Sequence, residues 1–164
     1  MANLDDDLQG IGGWLAFFLI TLGVITPLTT LFSVATLTAD TETAAGFGAM
    51  WGQLLALEWT VAGVSIAGCW VAVWHFFKVR SWRTVRLAVA TLWVLCLLAL
   101  VVEPLGVAFL AGLNYGDLFA GAPGEFLRPL VYSSIWTAYL LKSVRVANTY
   151  PVDGSAEEIA EVFE

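Results

Sequence analysis

Charged residues are scarce in this sequence. Only 13% of its 164 residues are Asp, Glu, Lys or Arg, whereas a soluble domain has roughly 25%. Lys and Arg number only 7, and the net charge is −7, which is a poor match for the clustered cations that bind nucleic-acid phosphates. We therefore expect neither a soluble domain nor a nucleic-acid-binding protein.

Residues that carry chemistry are equally few. Cys69 and Cys96 both fall inside apolar stretches, so we expect small hydrophobic side chains rather than a disulfide or a metal pair. His75 is the only histidine, which excludes a haem held by two histidines of one chain and leaves a metal site unsupported. No GxSxG, HExxH or glycine-rich phosphate loop occurs. The sequence predicts no enzyme activity, no cofactor and no bound metal.

Long apolar runs fill most of the chain instead. Hydrophobic residues make up 59% of it, and the mean hydropathy is +0.81. About 20 helical residues cross a hydrocarbon core of about 30 Å, and four stretches qualify, at about residues 11–37, 50–77, 84–110 and 126–141. The prediction is an all-α integral membrane bundle of four transmembrane helices within residues 1–150, with the lipid bilayer as its solvent.

Lys and Arg are concentrated in two connecting segments. One joins the second and third stretches, and the other follows the fourth; together they contain Lys78, Arg80, Arg83, Arg86, Lys142 and Arg145. The loops at about 38–49 and 111–124 have neither residue type. Because basic residues in short loops stay in the cytoplasm, both termini are predicted to lie there.

The last residues, 151–164, differ in character from the rest. They are rich in Glu and follow a turn at Pro151, and Ser155 and Glu158 have the spacing of a helix capping box. We expect an acidic cytoplasmic tail, which is either solvated or docks on a partner or on the basic loop.

Two segments carry a recognisable pattern. Gly10-Ile11-Gly12-Gly13-Trp14 leads into the first stretch, and the chain closes on Trp136, Tyr139, Ser143, Arg145, Asn148 and Thr149. The chain thereby resembles the family called domain of unknown function 2569. The resemblance implies a short four-span protein of the bacterial inner (cytoplasmic) membrane, and it implies no established activity.

Three ionisable residues are predicted inside the bilayer, where charge is costly and is often functional. Glu58, Glu103 and Arg128 all fall in the outer half of their stretches, so they could meet between helices. As a functional cluster, they would bind a proton or a cation beside a guanidinium. The alternative is a structural ion pair that fixes the helix register, with the remaining acid exposed to water.

Proline also interrupts two stretches. Pro27 and Pro104 each lack an N–H and free a carbonyl four residues earlier, at Gly23 and Leu100. Such kinks either build ion sites or are tolerated in packing. Three further patterns are predicted to serve helix contacts: the hydroxyl face at Thr26, Thr29, Thr30 and Ser33, the small pairs Gly48/Gly52 and Gly63/Ala67, and the deep tryptophans Trp59, Trp70, Trp93 and Trp136. The alternative for the hydroxyl face is the lining of a polar pathway, and the small pairs fit packing within the bundle as well as contact with a partner subunit.

Two functions follow from these features. The absence of catalytic motifs favours an accessory or structural subunit, or an organiser, of a membrane complex. The alternative is a small proton- or cation-linked transporter that uses Glu58, Glu103 and Arg128. The expected partners are another membrane protein or further copies of this chain.

Overall fold

The computed structural model describes residues 10–151, and this part of the chain is helical without a β-strand. The helices in chain order are α1 (Trp14–Ala39), α2 (Thr41–Phe47), α3 (Trp51–Lys78), α4 (Trp82–Ala111), α5 (Tyr115–Gly121), α6 (Pro123–Lys142) and α7 (Val144–Thr149). A 3-10 turn at Gly48–Met50 joins α2 to α3. The predicted acidic tail lies outside the described residues, apart from Pro151.

Three helical segments are long and apolar enough to cross a membrane, judged by length and composition. They are Trp14–Ala39, Thr41–Lys78 and Trp82–Ala111, and an 18-residue stretch within each has a mean hydropathy of 2.1, 1.6 and 2.5, respectively. Helix α6 has 20 residues, which is also enough for a hydrocarbon core. It is less apolar, because Glu125, Arg128 and several hydroxyl side chains lie along it.

The four long helices form a closed ring. Helix α1 packs on α3, α3 on α4, and α4 on α6. Ring contacts between Phe17, Phe18 and Trp136 close the circle from α6 back to α1. Helix α7 contacts α6, and a bond from Gly10 to Thr149 brings the first and last described residues together.

An aromatic cluster forms the centre of the core. The ring of Phe18 lies 6.0 Å from that of Phe76 and 4.8 Å from that of Trp136, and Phe76 meets Tyr150 edge to face at 5.1 Å. These rings join α1, α3, α6 and the segment after α7. The core is therefore concentrated at the end of the bundle where the two ends of the described chain lie.

Of the four deep tryptophans predicted to pack between helices, only Trp136 is buried, at 7% exposed. Trp59, Trp70 and Trp93 are 46%, 58% and 39% exposed. Lipid chains are as apolar as a helix interface, so a large ring gains little by turning inward. The depth of a tryptophan within a membrane span therefore does not tell whether its ring faces the other helices or the lipid.

Helices α1 and α4 share an unusual local geometry. Each contains a five-residue π-helical turn, at Thr21–Ile25 and Leu98–Val102. In each, a proline stands two residues after the turn, at Pro27 and Pro104. Because proline has no N–H to donate, the helix widens into a π turn where the regular pattern is interrupted.

The carbonyls that the two prolines free are bonded by side chains from other helices. The indole Nε1–H of Trp70 donates to the Gly23 carbonyl at 3.1 Å, and the Tyr115 hydroxyl donates to the Leu100 carbonyl at 2.6 Å. The carbonyls four residues before the two prolines therefore each accept a side-chain hydrogen bond. The kinks are fixed by α3 and α5 instead of facing lipid unsatisfied.

Thr29, one residue of the predicted hydroxyl face, makes its hydrogen bonds within α1. Thr29 Oγ1 donates to the carbonyls of Ile25 and Thr26 at 2.9 and 3.0 Å, within its own helix. The expectation of a bond to another helix is wrong at Thr29, because a carbonyl one turn back is the nearest acceptor for a helical threonine.

Candidate functional site

Glu58 and Glu103 lie near each other across the α3–α4 contact. Both are half-buried, and the charge of Glu103 acts on Glu58. The helices approach closely here because Gly106, one turn after Glu103, has no side chain; a Cβ there would overlap Cδ2 of Leu57. We call Glu58 and Glu103 the carboxylate pair.

Arg128 does not join this pair. It lies exposed on α6, whereas both carboxylates are half-buried at the contact between α3 and α4. A long arginine side chain near a helix end can reach the headgroup layer by itself. The structure thus brings together two of the three residues that the sequence singled out and leaves the third outside.

The surroundings of the carboxylate pair define its chemistry. Two like charges in a medium of low dielectric constant are stabilised by a proton or a cation placed between them. Glu103 directly follows the π turn of α4 and precedes Pro104, and Tyr115 fixes the free Leu100 carbonyl one turn earlier. The carboxylate pair therefore lies at a kink that is bonded to α5.

The two ends of the described chain form a second site. The Gly10 backbone N–H donates to Thr149 Oγ1 at 2.9 Å, and that hydroxyl donates to the Arg145 carbonyl at 2.7 Å. The Arg145 guanidinium lies against Gly12, where a Cβ would come within 3.0 Å of Nη1. We call Gly10, Gly12, Arg145 and Thr149 the terminal clasp.

Bonds next to the terminal clasp tie it to the loop between α3 and α4. The hydroxyl of Tyr150, fully buried, donates to the Phe76 carbonyl at 2.7 Å. The Trp82 N–H donates to the Pro151 carbonyl at 3.0 Å. Burial raises the pKa of Tyr150 to about 12, although the nearby charge of Arg80 acts in the opposite direction.

A family model described as a protein of unknown function matches residues 8–151. The chain belongs to the DUF2569 family. Neither a curated protein nor a solved structure matches it. The match includes the carboxylate pair and the whole terminal clasp, and the family brings no activity to either of them.

Among the other family-like residues of this DUF2569 chain, Trp136 and Tyr139 belong to its aromatic core. Trp136 is buried, and Tyr139 meets it edge to face at 5.7 Å. Ser143 stands between α6 and α7. Trp14 is 67% exposed beside Phe17, Asn148 is exposed, and Gly13 has a φ of 55°, a left-handed conformation that favours glycine.

Sequence reasoning missed several residues that position these sites in the DUF2569 chain. Tyr115 had no signal, because a hydrogen bond to a distant carbonyl leaves no pattern in the sequence. Trp70 was predicted at a helix contact, but its acceptor, the Gly23 carbonyl, was not. The two short helices α2 and α5 did have a signal in the sequence. Asp40 and Asn114 accept N–H bonds from the first turn of α2 and α5, and both residue types favour the position before a helix.

Proposed function

We propose that the chain crosses the bacterial inner membrane four times and keeps both termini in the cytoplasm. The hydrogen bond between Gly10 and Thr149 supports this, because the segments before α1 and after α6 must then lie on the same side of the membrane. A chain whose two ends lie on the same side crosses the membrane an even number of times. With three apolar candidate spans, α6 is then the fourth. Basic residues at Lys78–Arg86 and after α6 favour the cytoplasm for that side.

We further propose that the chain is a non-enzymatic accessory subunit or organiser that binds another membrane protein through α3. The observation that carries this is an exposed stripe of small residues on α3, named here the small-residue face: Gly52, Ala56, Thr60, Gly63 and Ala67. A Cβ added at Gly52 or Gly63 would meet nothing within 4 Å.

The glycines inside the bundle explain why this face matters. Gly23 lies against Val73, Gly68 against Thr91, and Gly106 against Leu57, so this chain uses missing side chains to bring helices together. Helices in membranes associate through such close packing, since lipid gives no hydrophobic drive. A transmembrane helix of a partner protein would complete the same kind of contact at the small-residue face.

Replacing Gly63 by Leu is expected to leave the fold intact and to weaken partner binding about tenfold, which corresponds to about 1.4 kcal/mol. The tagged chain would be extracted from native membranes in mild detergent, and co-extracted membrane proteins would be measured by quantitative mass spectrometry. Ala138→Leu, which also adds bulk at an exposed small residue but on α6, is the matched control. Recovery of the chain alone, or of the same partner amount from both variants, would count against an accessory role through α3.

A proton- or cation-linked transporter is the second candidate, and the carboxylate pair favours it. If the pair carries the coupling ion, Glu58→Gln and Glu103→Gln will each abolish ion-dependent flux in proteoliposomes while the protein stays folded, because each change removes one of two like charges. Glu42→Gln, in the exposed first turn of α2, is the control. Wild-type vesicles without proton or cation flux would rule out this candidate.

A further inference from the structure

The surface between α1 and α3 contains an apolar groove of about 290 Å³ that no described side chain fills. Its lining includes Ile11, Ile20, Gly23, Val24, Val73 and Phe77. Ile20, Val24 and Phe77 are each more than half exposed, so the groove opens toward the membrane. Gly23 forms part of its floor, since it has no side chain to fill the space.

We propose that this groove binds one anionic phospholipid of the cytoplasmic leaflet, with an acyl chain along the groove and the headgroup near Lys78. This inference goes beyond the accessory role and uses only the proposed orientation of the chain.

The length of the groove fits one leaflet. It runs from Ile11 and Phe77, at the ends of α1 and α3 that meet the terminal clasp, to Gly23 and Val24 at the kink. The ten helical steps from Trp14 to Val24 rise about 15 Å, which is about half of a 30 Å hydrocarbon core. An acyl chain of a single leaflet has the length to occupy it.

Lys78 places a cation at the headgroup end of the groove. Lys78 ends α3 directly after Phe77 and is exposed. The acidic residues of the described chain lie in the spans or at the opposite end: Asp40, Glu42, Glu58, Glu103, Asp117 and Glu125. Cations at the cytoplasmic end attract anionic headgroups.

Exposed tryptophans also mark the headgroup level. Trp14 and Trp74 flank this end of the groove on α1 and α3 and are 67% and 56% exposed. Amphipathic indole rings prefer the membrane interface. The groove therefore begins at the interface, beside a cation, and ends inside the hydrocarbon layer, which is the arrangement a phospholipid needs.

The test is the amount of lipid that stays on the purified full-length chain. The protein would be incubated in detergent with equal amounts of phosphatidylglycerol and phosphatidylethanolamine, and the bound lipid would be counted by native mass spectrometry. We expect about one phosphatidylglycerol per wild-type chain. Val24→Trp fills the groove and is expected to remove it, whereas Val94→Trp, at an equally exposed valine on α4 (50% against 51%), is expected to leave it bound.

A second pair of variants tests the headgroup. Lys78→Gln is expected to lower the preference for phosphatidylglycerol about fivefold, the contribution of one basic residue near anionic lipid, and Lys142→Gln is expected to change it little. If Val24→Trp and Val94→Trp lose the same amount of bound phosphatidylglycerol, the lipid binds nonspecifically around the chain and not in the groove. Equal binding of both lipids by wild type would overturn the anionic site.

Discussion

Replacing Phe18 by Ala is expected to lower the free energy of unfolding by about 3–5 kcal/mol, the usual cost of deleting a buried aromatic ring. Phe18 is fully buried and touches both Phe76 and Trp136, so its loss opens a cavity where α1, α3 and α6 meet. Reversible unfolding in mixed micelles, followed by tryptophan fluorescence, measures the change.

Phe32→Ala is the matched control for this prediction. Phe32 lies on the same helix but is 70% exposed. Its ring faces lipid or detergent, so removing it leaves no cavity in the protein. We expect a change below about 1 kcal/mol. Equal effects of the two variants would show that the aromatic cluster around Phe18 does not hold the bundle together.

Raising the pH from 10 to 12 is expected to cost the wild type about 1.4 kcal/mol of stability per pH unit through Tyr150 alone. The pKa of Tyr150 is raised to about 12 by burial, against about 10 in an unfolded chain. The folded state therefore favours the neutral phenol. Its contribution is complete below pH 10 and is lost as the pH rises to 12.

Tyr150→Phe isolates this effect from the other groups that titrate in the same range. At pH 8 the variant is expected to be less stable by about 1–2 kcal/mol, because the Phe76 carbonyl loses its donor. Its stability should then fall less steeply than that of wild type, so that the difference shrinks by pH 12. Parallel curves for the two proteins would contradict the burial of an intact phenol at this position.

The long helices could be predicted from the sequence because length and apolarity are properties of the segment itself. The depth of Glu58 and Glu103 also follows from the distance to the helix ends, and the two acids do lie near each other. The direction of Arg128 could not be predicted. It depends on the rotation of α6 against its neighbours, which is set by packing.

The contacts of the terminal clasp could not be predicted from the sequence either. The residues on both sides of it carried the family resemblance, but nothing in either segment indicates that Gly10 bonds to Thr149 or that Arg145 covers Gly12. Those contacts exist because α1 and α6 are neighbours in the ring. The π turns were likewise unpredicted, since Pro27 and Pro104 indicate an interruption without specifying its shape.

The most direct test of the four-span topology is labelling of single cysteines by a membrane-impermeant maleimide in intact and permeabilised cells. Thr43→Cys and Ala120→Cys are predicted to react from outside, and Arg80→Cys and Asn148→Cys only after permeabilisation, with Cys69 and Cys96 replaced by Ala. Reaction of positions 120 and 148 from the same side would contradict the account, because α6 would then not cross the membrane.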